Sequence, residues 1–252
     1  MSYLGYIKPI SEMLYHIDSP AVLEIGVDYG QSAIPLIHNL SSKCDSFTYY
    51  GVDIKVRGEV IEQILQMKNV FCHGINSPSD DHTNVALCVG NSLDVLPDFK
   101  KENMKFDLIL IDGDHNYFTV SKELDIIKDM SHPSTIIICD DYNSRWAEQD
   151  LYYSEKETYA KNKLATKRKN TEKAGVRNAI LDFLEKNNKW SLVEYNNDPC
   201  FMFQREHIDF GFDFSKAQKT ISLATVFSEF KTDESIKRFK REVVEQYASH
   251  VE

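Results

Sequence analysis

The sequence predicts an α/β protein, a three-layer sandwich with helices on both faces of a mostly parallel sheet of seven strands. Three observations predict it. Short apolar runs rich in β-branched residues alternate with amphipathic stretches from about residue 20 to 205, the rhythm of parallel strands joined by crossover helices. The runs are nearly continuous in their apolar character, as strands covered on both faces are. Glycines and carboxylates follow directly after those runs, at the strand ends where such sheets bind ligands.

The elements follow in order. Strands are expected at Ala21–Val27, Phe47–Asp53, Val85–Val89, Phe106–Ile111, Thr135–Cys139, Trp190–Tyr195 and Cys200–Gln204. Helices are expected at Gln31–Leu40, Glu59–Met67, Leu93–Lys101, Phe118–Met130 and Val176–Glu185, with Pro35 near the first turn of its helix, where proline is tolerated. A further helix is expected around Tyr3–Tyr15, and residues 69–83 leave room for a short extra strand followed by a loop. Residues 144–174 break the rhythm. They are polar, aromatic at Trp146, Tyr152, Tyr153 and Tyr159, and basic from Lys161 to Lys173, which marks a lid-like insertion. The main domain is placed at 1–206, and 207–252 is expected to be a C-terminal helical extension, with helices near 215–229 and 233–249.

With 252 residues, 42% hydrophobic and 27% charged, the chain suits one α/β domain with decorations and needs no disulfide or metal to hold its core. The net charge of −10 argues against a nucleic-acid partner, which needs a positive field along the phosphates. The five cysteines include no Cys-x-x-Cys pair and are expected as reduced thiols. No signal peptide and no membrane-length apolar run is visible, so the expected location is cytoplasmic.

Five strand ends carry chemistry. Val22-Leu-Glu-Ile-Gly-Val-Asp-Tyr-Gly30 ends the first strand with Glu24-x-Gly26-x-x-x-Gly30. Glycines there let the backbone approach a ligand. The spacing differs from the Gly-x-Gly-x-x-Gly of nicotinamide enzymes, and Glu24 would repel a pyrophosphate. Asp53 ends the second strand, 23 positions after Gly30, where a carboxylate can accept hydrogen bonds from ribose hydroxyls. Gly90-Asn-Ser92 follows the next strand, with Asn91 and Ser92 either facing an adenine edge or capping the helix. Ile111-Asp-Gly-Asp-His115 and Ile138-Cys-Asp-Asp141 come next. Asp112, Asp140 and Asp141 would converge on one cleft. Like charges so placed need protons or a cation to compensate them, and such oxygen ligands suit Mg²⁺ or a similar divalent ion. His115 could take a proton from a substrate hydroxyl.

These motifs, in this order, resemble the class I S-adenosylmethionine-dependent methyltransferases over residues 20–205. The resemblance implies a Rossmann-like sheet with an antiparallel strand at its C-terminal edge and S-adenosyl-L-methionine as cofactor. It implies cofactor contacts from Glu24, Gly26, Gly30, Ser32, Asp53, Asn91, Ser92 and Asp112. The pairing of Asp112 and His115 with Asp140-Asp141 is similar to the metal-dependent O-methyltransferases of macrolide-type sugars and to the catechol and caffeoyl-coenzyme A type. That likeness implies a metal on Asp112, Asp140 and Asp141, His115 as base, and a small hydroxylated acceptor. A metal-independent methyltransferase and a non-catalytic S-adenosylmethionine-binding protein stay open, as does a homo-oligomer.

Overall fold

The computed structural model describes residues 6–73, 84–193 and 199–204. In chain order the elements are α1 (Ile7–Leu14), β1 (Ala21–Ile25), α2 (Ala33–Lys43), β2 (Thr48–Asp53), α3 (Gly58–Leu65), β3 (Cys72–His73), β4 (Val85–Val89), α4 (Ser92–Lys101), β5 (Phe106–Ile111), α5 (Tyr117–Met130), β6 (Ser131–Cys139), α6 (Val176–Lys186), β7 (Trp190–Val193) and β8 (Cys200–Gln204). They form one sheet in the order β3-β4-β2-β1-β5-β6-β8-β7. Every pairing from β3 to β6 is parallel, and β8 runs antiparallel to both β6 and β7. The expected mostly parallel sheet with an antiparallel strand near its C-terminal edge is therefore present, and the two-residue β3 adds an eighth strand. The expected tail helices, and the loop at 77–82, lie outside the described residues.

The three layers follow from the period-two alternation of strand side chains. On β5, Leu108 and Leu110 enter one core with Val22, Tyr49 and residues of α1, α2 and α3. Ile109 and Ile111 enter the other with Leu23, Val52 and residues of α4, α5 and α6. All four β5 residues are at most 2% exposed, and each such burial contributes roughly 1.5–3 kcal/mol. Both faces of the central strands must be apolar for this to work, which explains their near-continuous hydrophobic runs.

The two ends of the sheet differ. At the amino ends, Asp107 accepts the Ala21 N–H at 2.8 Å and faces His132 Nε2 at 3.0 Å, so this carboxylate joins strands. The carboxyl ends of β1, β2, β4 and β5 open into a cleft. No helix among the described residues is long and apolar enough to cross a membrane.

Candidate active site

The cleft has a volume of about 410 Å³. Its walls are Gly26 and Asp28 after β1, Asp53 and Arg57 after β2, Gly90, Asn91 and Ser92 after β4, and Asp112, Gly113 and Asp114 after β5. Tyr153, Thr158, Tyr159 and Thr166 close it from the insertion.

The first loop has the backbone its glycines require. Gly26 takes φ +93° and Gly30 φ +68°, in the region that favours glycine. A Cβ on Gly26 would collide with the Asp112 carbonyl, so this glycine lets β1 and β5 end side by side. Glu24 and Ser32 lie behind the loop and not on the cleft wall. Glu24 is fully buried and accepts hydrogen bonds from Tyr49 Oη at 2.5 Å and from Ser32 Oγ. This pair anchors the loop from the core side. Asp53 anchors it from the neighbouring strand. Its Oδ2 accepts the Val27 and Asp28 N–H groups, each at 2.8 Å, and its Oδ1 accepts the Lys55 N–H. Burial still pushes the Asp53 carboxyl up, outweighing those three N–H groups. Asp28, held at φ +41°, pairs with Arg57 at 2.9 Å, and the guanidinium lies 3.5 Å over the Tyr29 ring.

At the end of β4, Asn91 is the N-cap of α4. Its Oδ1 accepts the Leu93 N–H, and its Nδ2 donates to the Leu164 carbonyl and to Thr166 Oγ1. Ser92 lines the cleft but donates its hydroxyl to Glu123 Oε1 at 2.6 Å. Glu123 is wholly buried, its Oε2 has no hydrogen-bond partner among the described residues, and burial pushes its carboxyl up to about 8.

Of the three carboxylates expected to converge on the cleft, Asp112 lines it, and Asp140 and Asp141 stand beside Asp112 without lining it. Asp112 and Asp140 are hydrogen-bonded to each other. Burial, and then the Asp140 charge, hold Asp112 well above the usual carboxylate range. Burial and the neighbouring Asp141 raise Asp140, whose Oδ1 is buried without a hydrogen-bond partner among the described residues. Asp141, at φ +61°, turns the other way. Its Oδ2 lies 2.6 Å from His115 Nδ1, and its Oδ1 accepts from Ser144 Oγ. Burial alone would raise Asp141, but the His115 hydrogen bond and charge outweigh it and the carboxyl titrates below its ordinary value. A carboxylate only accepts, so Nδ1 carries the proton. That leaves Nε2, 4.0 Å from Asp112 Oδ1, as the acceptor nitrogen, hydrogen-bonded to Tyr153 Oη at 3.3 Å. Among the described residues, no group of three or more His, Cys, Asp or Glu has the geometry of a metal site.

The backbone fixes His115 as well. Its carbonyl accepts the Leu151 N–H at 2.9 Å from the insertion, and Asn116 caps α5 through the Thr119 N–H. Sequence reasoning missed Asp28, Arg57, Asp114, Tyr153, Tyr159 and Thr166 on the cleft wall. Tyr153 and Tyr159 were visible as aromatic residues of the insertion, but no spacing tied them to motifs so far away in the chain.

A glycine-loop cleft at the carboxyl ends of a mostly parallel sheet, with an acid at the end of the second long strand, is the arrangement of a ligand-binding α/β fold. Residues 23–142 match the model of a family described as a methyltransferase domain. No curated protein matches the chain by sequence. Among solved structures it is similar to MycE, a methyltransferase from the mycinamycin biosynthetic pathway in complex with Mg and SAH, at 15% identity and TM-score 0.47. That likeness covers 79% of this chain and 48% of MycE, so the chain spans about half the length of MycE. CalS11, a TDP-rhamnose 3'-O-methyltransferase of calicheamicin biosynthesis, is similar at 13% identity, TM-score 0.49, over 79% of this chain and 78% of that one. The O-methyltransferase TomG from Streptomyces achromogenes is similar at 12% identity, TM-score 0.46, over 78% of each chain. With TM-scores below 0.5, none of these likenesses bears on the acceptor.

Proposed function

We propose that this protein transfers a methyl group from S-adenosylmethionine to a hydroxyl oxygen of a small acceptor such as a sugar or natural product. The observation that carries this reading is the setting of His115, with Nδ1 on the Asp141 carboxylate and Nε2 near Asp112 and Tyr153, both of which line the cleft. In this reading Gly26 and Asp53 hold the cofactor end and His115 serves the acceptor end. His115 Nε2 takes the acceptor's hydroxyl proton, and Asp141 holds the ring and stabilises the imidazolium. An O–CH₃ bond replaces an S–CH₃ bond, and the proton stays on Nε2. Holding both partners in line contributes several kcal/mol through lost entropy, about 7 at the low end of the measured range.

Asp112 and Asp140 fit a divalent cation such as Mg²⁺. They share a hydrogen bond, burial raises both, and Asp140 Oδ1 is an orphaned buried acceptor. A cation there would relieve the repulsion that their mutual proton now relieves. Asp141 would join them only by leaving His115. When bound, such an ion supplies Lewis-acid polarisation of the acceptor oxygen. The existing Asp141–His115 pair favours a second reading, methyl transfer without a metal.

The test is transfer of labelled methyl from S-adenosylmethionine to a panel of polyhydroxylated acceptors, before and after chelation and with Mg²⁺ restored. No transfer to any hydroxyl acceptor, together with transfer to an amine, would overturn the O-methyl reading. Full activity after chelation would select the metal-free one.

A further inference from the structure

The insertion reaches both ends of the cleft. Tyr153 faces His115, while Thr158, Tyr159 and Thr166 line the half formed by the ends of β2 and β4. Hydrogen bonds tie the insertion to those same two ends. Asn162 Nδ2 donates to the Ile54 carbonyl, just after β2, at 2.9 Å. Asn91 Nδ2, just after β4, donates to the Leu164 carbonyl at 2.8 Å and to Thr166 Oγ1 at 2.9 Å. Ser154 Oγ donates to the Thr166 carbonyl at 2.7 Å and closes the segment on itself. The rings of Tyr153 and Tyr159 meet edge to face, with centroids 5.2 Å apart. Tyr159 is half-buried, within electrostatic reach of Asp28, Arg57 and Asp53.

The hydrogen bonds of Asn91 leave its side chain committed. Both amide hydrogens go to the insertion and Oδ1 takes the Leu93 N–H, so it has no donor for a base. The Ser92 hydroxyl is directed to Glu123. The side-chain donors of Asn91 and Ser92 are therefore committed elsewhere, whereas the insertion brings an aromatic ring and hydroxyls to the same part of the cleft.

We propose that residues 151–166 are the outer wall of the nucleoside half of the cofactor site, with Tyr159 contacting the nucleoside and Asn91 and Asn162 latching the wall in place. This rests on the S-adenosylmethionine reading above and assigns Asn91 to the latch instead of the adenine edge. Binding of S-adenosylhomocysteine to the full chain, followed by calorimetry and by amide hydrogen exchange, tests it. Tyr159→Ala is expected to weaken binding by about tenfold, the scale of losing one aromatic–base contact. Asn162→Ala is expected to weaken binding less and to speed dissociation, and ligand is expected to slow exchange across 151–166 in the parent protein. Unliganded melting temperatures separate these effects from loss of folding. Parent-like affinity in Tyr159→Ala, or exchange across 151–166 that saturating ligand leaves unchanged, overturns the proposal. A parent protein that binds no S-adenosylhomocysteine instead overturns the cofactor reading on which it rests.

Discussion

His115 Nδ1 lies 2.6 Å from Asp141 Oδ2, and the two side chains are only 10% and 15% exposed. The pair is joined across two different strand ends, β5 and β6, and it leaves Nε2 toward Asp112 and Tyr153, two residues of the cleft wall. Replacing His115 by alanine is expected to lower kcat by about 10²–10⁴, the usual contribution of a positioned acid or base. Affinity for S-adenosylhomocysteine should stay within a few-fold of the parent. Turnover with the acceptor found in the panel, alongside calorimetry, checks both halves. A His115→Ala enzyme with parent-like kcat would remove the histidine from the chemistry.

Asp112 and Asp140 repel each other in a buried place, so one of them is held protonated at the expense of stability as pH rises. A carboxyl whose folded-state titration is raised contributes stability below its unfolded pKa and loses it as pH climbs through the folded value. Asp112→Asn removes that loss. The variant is expected to melt a few degrees above the parent at pH 8, about 2–4 °C per kcal/mol for a domain of this size, while losing activity. Thermal melting in the presence of chelator reads the outcome, and a lower melting temperature for Asp112→Asn would contradict it.

Glu123 makes a cleaner pH probe because it lies outside the acid cluster. Its carboxyl rises from 4.5 to about 8 through burial. Between those values the folded protein holds a proton that the unfolded chain releases, so stability falls with pH across that window. The slope from one such group is at most about 1.4 kcal/mol per pH unit. Glu123→Gln should flatten this part of the profile, measured by denaturant unfolding from pH 4.5 to 8. Parallel profiles for parent and variant would show that Glu123 is not protonated in the fold.

Gly26→Ala should cost both stability and cofactor affinity. The residue sits at φ +93°, and a Cβ would strike the Asp112 carbonyl. Strain of this kind costs about 1–3 kcal/mol, and relieving it must push β1 and β5 apart at the floor of the cleft. Calorimetry with S-adenosylhomocysteine and a melting curve together decide the point, and unchanged binding would mean that the loop is not the cofactor floor.

Much of the fold was legible because it depends on local patterning. β4, β5 and β8 begin and end where their apolar runs do. The end of β1 was placed two residues late, since Val27 is apolar but belongs to the loop that Asp53 holds by its backbone. The candidate site was legible in part. Gly26, Gly30, Asp53, Asp112 and His115 follow strands directly, and parallel strands bring such positions to one edge. Glu24 and Ser32 were expected to touch the cofactor but point into the core, because the inward face of β1 and the N-cap of α2 turn toward Tyr49.

The sequence by itself determined the layer architecture, the sheet edge at which the cleft opens, and the acids and histidine placed after its strands. Strand periodicity and the glycine positions are enough for that, since both act through neighbours in the chain. The tertiary structure alone decided which partner each polar group takes. It turned Asp141 to His115 and left Asp112 with Asp140. It gave the Asn91 amide to the insertion and set Tyr153 against His115, 38 positions away in the chain. Those pairings depend on packing between segments remote in sequence, where a hydrogen bond is worth making only once burial has removed its competitors in water.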